Sequence, residues 1–177
     1  FQQFPKFFND ETAVTFLCDY IRLMTLGSDK AHEMETLMDE EIETHHNDQL
    51  EISEAVNKAA EAMPALGIVA AVLGVIHTMG SITEPPEVLG HLIGAALVGT
   101  FLGVLLSYGF IGPMASALKG RANTDTKYFV CMKAGLMAYM QGYAPAVSVE
   151  FARKTLFAHE RPTFYDVEDA VAELPAA

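Results

Sequence analysis

Two stretches without a single formal charge dominate this sequence. Ala62–Thr83 runs for 22 positions and Val88–Leu118 for 31. A helix needs about 20 apolar residues to cross the hydrocarbon core of a bilayer. Inside lipid, a helix satisfies all its backbone polar groups by itself. The two runs therefore predict membrane-spanning helices over 62–80 and 89–112, joined by the turn 81-SITEPPEV-88. The competing reading is a buried core hairpin of a soluble protein, where two such runs around a tight turn are rare.

The bases set the orientation. None of the 11 Lys and Arg lies between Ala59 and Leu118. They flank the two runs, from Lys6 to Lys58 on one side and from Lys119 to Arg161 on the other, while the turn carries only Glu84 and Glu87. Positive flanks stay in the cytoplasm, so both chain ends are expected there and the turn outside. That compartment is reducing, and Cys18 and Cys131 are not expected to pair. A net charge of −12, from 23 acids against 11 bases, excludes nucleic acid as a partner. No secretory leader pattern is visible, and the start at Phe1 reads as that of a piece of a longer protein.

The rest of the chain carries helical periodicity and no strand pattern. Residues 10–26 place Val14, Leu17, Cys18, Ile21 and Met24 on one face, with Asp10 as N-cap and Gly27 as stop. Residues 29–45 form a second amphipathic helix, and a third begins near Asp48 and leads into the first span. After the second span the helix runs to Leu118 and breaks near Gly120. Helices follow over 124–141, 146–157 and 163–174, with a break at 142-GYAP-145. The expected architecture is all-α: an integral membrane protein with two transmembrane helices continued by a cytoplasmic helical domain. Its parts are 1–61 (cytoplasmic), 62–118 (hairpin, turn 81–88) and 119–177 (cytoplasmic).

Small residues in the spans are not scattered. Gly67, Ala71, Gly74, Thr78 and Ser81 follow steps of four and three along one face of the first. Ala96, Thr100, Gly103 and Ser107 share a face of the second, with Gly99 beside it. In lipid, close backbone packing drives helix association. These faces therefore meet other helices: each other, or those of a partner along a central path. Thr100 either bonds its own helix one turn back or lines that path. Pro64 and Pro113, at the cytoplasmic ends of the spans, either start and kink their helices or act as hinges. No Asp or Glu lies in either span. Ion-driven membrane machines place such groups inside the bilayer, so an ion-conducting role requires a partner to supply one.

Enzyme signals are weak, and no catalytic residue is assigned. His45 and His46 lack further ligands for a metal set and read as a solvated helix end. The run 39-DEEIE-43 is a solvated face or a docking surface for a basic partner. No cofactor is expected.

PALGIVAAVLGVIHTMGS, LGHLIGAALVGTFLGVLLSYGFIGPMA, LMDEEIETH, GYAPAVSVEFARKTLF and ERPTF together resemble the MotA ion-channel subunits of the bacterial flagellar stator, in the MotA/TolQ/ExbB superfamily. The resemblance implies that the two spans are the third and fourth of four. It implies a ring of five copies around two transmembrane helices of MotB, whose aspartate carries the ion, in the bacterial inner membrane. Gly67, Gly74, Ala96, Gly99 and Gly103 would then pack on MotB. Thr100 would stand near the aspartate, Pro64 and Pro113 would couple ion flow to movement, and Glu41 would face the rotor protein FliG. Sodium-driven relatives carry threonine where this chain has Ala71, so the ion implied is the proton. The alternatives are a TolQ- or ExbB-like motor energising the outer membrane and a non-conducting structural membrane subunit.

Overall fold

The computed structural model describes residues 4–27 and 30–173. Every regular element among them is helical. In chain order these are α1 (Pro5–Phe8), α2 (Glu11–Thr25), α3 (Ala31–Met79), α4 (Pro86–Val104), a π-helical stretch (Leu105–Ile111), α5 (Gly112–Met140), α6 (Pro145–Thr155) and α7 (Phe164–Ala172). By contact the chain falls into two units, Asn47–Ala122 and Phe1–His46 with Asn123–Ala177.

The ends of the elements follow local chemistry. Asp10 caps the start of α2 by accepting from the Ala13 amide at 3.1 Å, and Gly27, at φ +89°, follows the other end of the same helix. Gly142, at φ +86°, turns the chain out of α5, and Pro145 opens α6 at a position where the missing N–H has no cost. Thr163 and Asp166 form a capping box at the start of α7. The expected end of that helix at Leu174 lies outside the described residues, as do residues 1–3 of the aromatic start.

Two expected breaks do not occur. α3 passes His45–Asp48 without interruption, and α5 passes Gly120. No Gly or Pro stands between Ala31 and Met63, so nothing in the backbone stops α3. The histidines are no solvated end either. The His45 ring lies 4.8 Å from that of Phe129, and His46 Nδ1 stands 2.7 Å from the Thr126 hydroxyl. At Gly120 a side chain would meet nothing within 4 Å, and glycine there costs about 1 kcal/mol of helix propensity, too little to end a helix of 29 residues.

The unit of Phe1–His46 and Asn123–Ala177 has its core where α2, the start of α3 and the end of α5 meet. Phe16, Tyr20, Met34, Met38, Ile42, Phe129 and Met137 form it. Phe16 packs edge-on against Phe129 at 5.3 Å and tilted against Tyr20 at 4.8 Å. Lys133 reaches Asp39 at 2.6 Å and Glu35 at 3.5 Å. α6 lies on α5 at Gly135, where a Cβ would come within 3.3 Å of that of Ala152.

The segment after α6 is fastened by arginine. Arg153 holds Glu150 through two bonds of 2.6 and 2.9 Å and donates to the Pro162 carbonyl at 2.9 Å. Arg161 folds back on the Leu156 carbonyl at 2.8 Å. The guanidinium lowers the Glu150 pKa, and the Thr163 hydroxyl and amide lower that of Asp166. A lowered folded-state pKa gives stability that is present above the ordinary carboxylate range and lost as pH falls through the folded value. We expect amide exchange over 160–173, corrected for intrinsic rates, to accelerate below about pH 4 ahead of α2. Thr163→Ala should bring the same acceleration at neutral pH, readable by hydrogen-exchange mass spectrometry.

Candidate functional site

The unit Asn47–Ala122 holds the two spans. In each, only 11% of the most apolar 18 residues is buried within the chain. Leu66, Val69, Leu73, Leu97, Phe101 and Leu102 all point outward. A soluble core helix would bury such residues; outward faces of this length and composition suit lipid or other membrane helices. Both helices of this hairpin are long and apolar enough to span a membrane.

Its two helices meet backbone to backbone. A Cβ on Gly67 would stand 2.7 Å from the Gly99 carbonyl oxygen and 3.2 Å from the Cα atoms of Thr100 and Gly103. One on Gly103 would stand 2.6 Å from the Met63 carbonyl oxygen, and one on Gly74 2.5 Å from the Ala96 Cβ. On Gly99 it would stand 2.9 Å from the Ala70 Cβ. At each glycine the nearest of these separations is under 3.0 Å, closer than real Cβ atoms come to other atoms, so the sequence needs glycine at all four places. The small faces thus face each other within this chain, the first of the two arrangements their spacing allowed. Ala71 is half-buried along the same contact.

Hydroxyls thread this contact. Thr100 is half-buried and donates to the Gly67 carbonyl of the opposite helix across 3.4 Å, a long bond. It does not bond its own helix one turn back. Thr78 does, donating to the Gly74 carbonyl at 2.9 Å, and it is fully buried. Ser53 extends the contact beyond the apolar run, donating to the Ala115 carbonyl at 2.9 Å. Sequence reasoning missed Ser53; its signal is the seven-residue spacing Ser53, Ala60, Gly67, Gly74.

Pro64 sits half-buried inside α3, where it leaves the Ala60 carbonyl without its usual donor. Pro113 is exposed at the second position of α5, directly after the π-helical stretch. Glu41 is exposed on α3 in the other unit. Its carboxylate accepts the Tyr20 hydroxyl at 2.6 Å. Burial and this carboxylate push the Tyr20 pKa up, so the phenol stays a donor at physiological pH. Among the described residues no group of acids, histidines and cysteines could hold a metal, and both cysteines are free.

An uncharged two-helix hairpin closed by glycine, and continued by amphipathic helices, defines a membrane subunit that needs other helices to complete any ion path. Residues 10–130 match the MotA/TolQ/ExbB proton channel family, and the chain belongs to it. It is 44% identical over 171 residues to Motility protein A of Escherichia coli K12, and equally so to that of Salmonella typhimurium. Each alignment covers 97% of this chain and 58% of the relative, so the chain spans little more than half the length of these proteins. The fold is similar to that of the flagellar MotAB stator complex from Bacillus subtilis, with TM-score 0.73 and 28% identity over 88% of this chain and 58% of that one. It is also similar to that of C. jejuni MotAB, with TM-score 0.76 and 20% identity over 84% and 58%.

The geometry fixes the outcome of single-methyl substitutions. Gly67→Ala or Gly103→Ala should destabilise the hairpin by about 1–3 kcal/mol, because backbone lies where the methyl must go. Gly94→Ala, with nothing within 4 Å, should be neutral or slightly stabilising. Thermal unfolding of the detergent-solubilised protein separates the two classes.

Proposed function

We propose that this chain is the torque-generating part of a flagellar stator subunit and forms a proton path with the transmembrane helices of a MotB partner. The observation that supports it most is the absence of any carboxylate in two spans whose family is described as proton channels. A proton carrier inside the bilayer must then come from a partner helix. In this reading five copies surround two MotB helices in the bacterial inner membrane, with both ends of the chain in the cytoplasm. The bases confined to the two flanks support that orientation.

Thr100 and Ala71 line the ion path. The long Thr100 bond to Gly67 is weak enough for the hydroxyl to turn to a passing hydrated ion. Ala71 offers no oxygen to sodium, which favours protons. Gly67, Gly74, Ala96, Gly99 and Gly103 thin the hairpin so that MotB helices approach it closely. Pro64 and Pro113 act as coupling prolines, each leaving a backbone carbonyl unbonded where its helix can bend. Glu41, oriented by Tyr20, presents negative charge to FliG in the rotor.

Swimming tests this. In a strain lacking the native gene, the protein in its full context with its partner should restore motility. Speed should not depend on external sodium at fixed pH and should collapse with a protonophore. Thr100→Val should cut speed about tenfold, equivalent to about 1.4 kcal/mol of barrier, while Thr100→Ser should retain most of it. Speed that follows sodium would overturn the proton assignment. Normal swimming without the protein, combined with a leaky outer membrane, would point to a TolQ- or ExbB-like motor instead.

A further inference from the structure

The buried positions of the second span slip by one residue as they pass the π-helical stretch. Above it Ala96 and Gly103 are buried, seven apart on one helical face, and Ser107, inside the stretch, follows four residues later. Below it the buried positions are Ala115 and Ala122, again seven apart. The step between the two sets, from Ser107 to Ala115, is eight. In an unbroken α-helix the residue about five turns below Ala96 is Met114. Met114 is instead 59% exposed, while Ala115 is 2% exposed and its carbonyl accepts the Ser53 hydroxyl. On α3 the facing positions Ser53, Ala60 and Gly67 keep steps of seven with no slip. The second span therefore carries one residue more than the first needs to keep its face.

The stretch that absorbs it is held loosely. The Gly112 N–H bonds the Ser107 carbonyl five residues back, not Tyr108 four back. Pro113 has no N–H and cannot restore the α bond to the Gly109 carbonyl. A Cβ on Gly112 would stand 2.9 Å from the Ser107 carbonyl oxygen, so only glycine fits that position. Gly109 likewise brings no side chain to lock the segment.

We propose that Leu105–Ile111 is a compliant joint that stores this one extra residue, and that α5 turns against α4 by exchanging π for α bonds there. One residue of exchange is worth about 100° of rotation and 1.5 Å of travel along the axis. Pro113 is part of the device because it keeps the exchange from settling as plain α-helix. The proposal deepens the stator reading by placing the moving element in seven residues.

Deletion of Gly109 removes the stored residue without removing a side chain. It should leave a continuous α-helix with Ala115 still opposite Ser53. In a background with Cys18→Ser and Cys131→Ser, the pair Ser53→Cys with Ala115→Cys should cross-link under mild oxidation, both with and without Gly109. If deletion transfers the cross-link to Ser116→Cys, the segment stores no spare residue and the proposal falls. The deletion variant should still co-purify with its partner, yet lose at least tenfold in swimming speed. Retained pairing with normal swimming would equally overturn the joint, since the extra residue would then be dispensable. Failure of the undeleted protein to support swimming would count against the stator reading and leave the cross-link result to judge the joint.

Discussion

The contact of Gly67 with Gly99 and Gly103 sets the rest of the hairpin. In lipid no hydrophobic force draws two apolar helices together, so dispersion between closely placed backbones has to do it. That attraction falls steeply with distance, and a single methyl at any of these glycines would part the helices. Once the backbones touch, the other consequences follow. Large residues are left outside, Thr100 comes within reach of a carbonyl on the opposite helix, and Ser53 finds Ala115 at the end of the same contact. The glycine positions thus determine which residues remain exposed for lipid or partner.

The other unit is held by a different kind of force. Its core is aromatic and sulfur-rich, with Phe16, Tyr20, Phe129, Met34, Met38 and Met137 gathered from three helices. Methionine fills irregular gaps and tolerates rearrangement, whereas the glycine contact tolerates none. Around this core, polar ties add direction. Lys133 reaches two acids of α3, and Arg153 closes the chain after α6 onto Glu150 and Pro162. Acids that a residue count would assign to a uniformly solvated face are in part committed to partners inside the chain. Asp39 and Glu41 are both in this position.

Much of this was legible in the sequence, and what was not has a physical reason. Charge-free runs, Asp10, Gly27, Gly142 and Thr163 announced spans and helix ends, because capping and burial in lipid are local or compositional effects. The packing of His45 and His46 was hidden. It depends on Phe129 and Thr126, some 80 positions away, which turn apparently solvated histidines into packed ones. The glycine stripes announced close approach but not the identity of the neighbour, since Gly67 looks the same whether it meets Gly103 or a foreign helix. The eight-residue step at the π-helical stretch escaped because small residues surround it on both sides. Only Ala115 buried beside Met114 exposed reveals the phase.

The charge-free character of the spans has an electrical meaning as well. Each elementary charge moved through a membrane potential gains or loses about 2.3 kcal/mol per 100 mV. A hairpin with no Asp, Glu, Lys or Arg between Ala62 and Thr83 or between Val88 and Leu118 carries no such handle. Voltage across the bilayer exerts no direct pull on Asp, Glu, Lys or Arg side chains in these two runs. Whatever the potential drives must act through a charge that comes from elsewhere. The two runs therefore offer the field no Asp, Glu, Lys or Arg of their own.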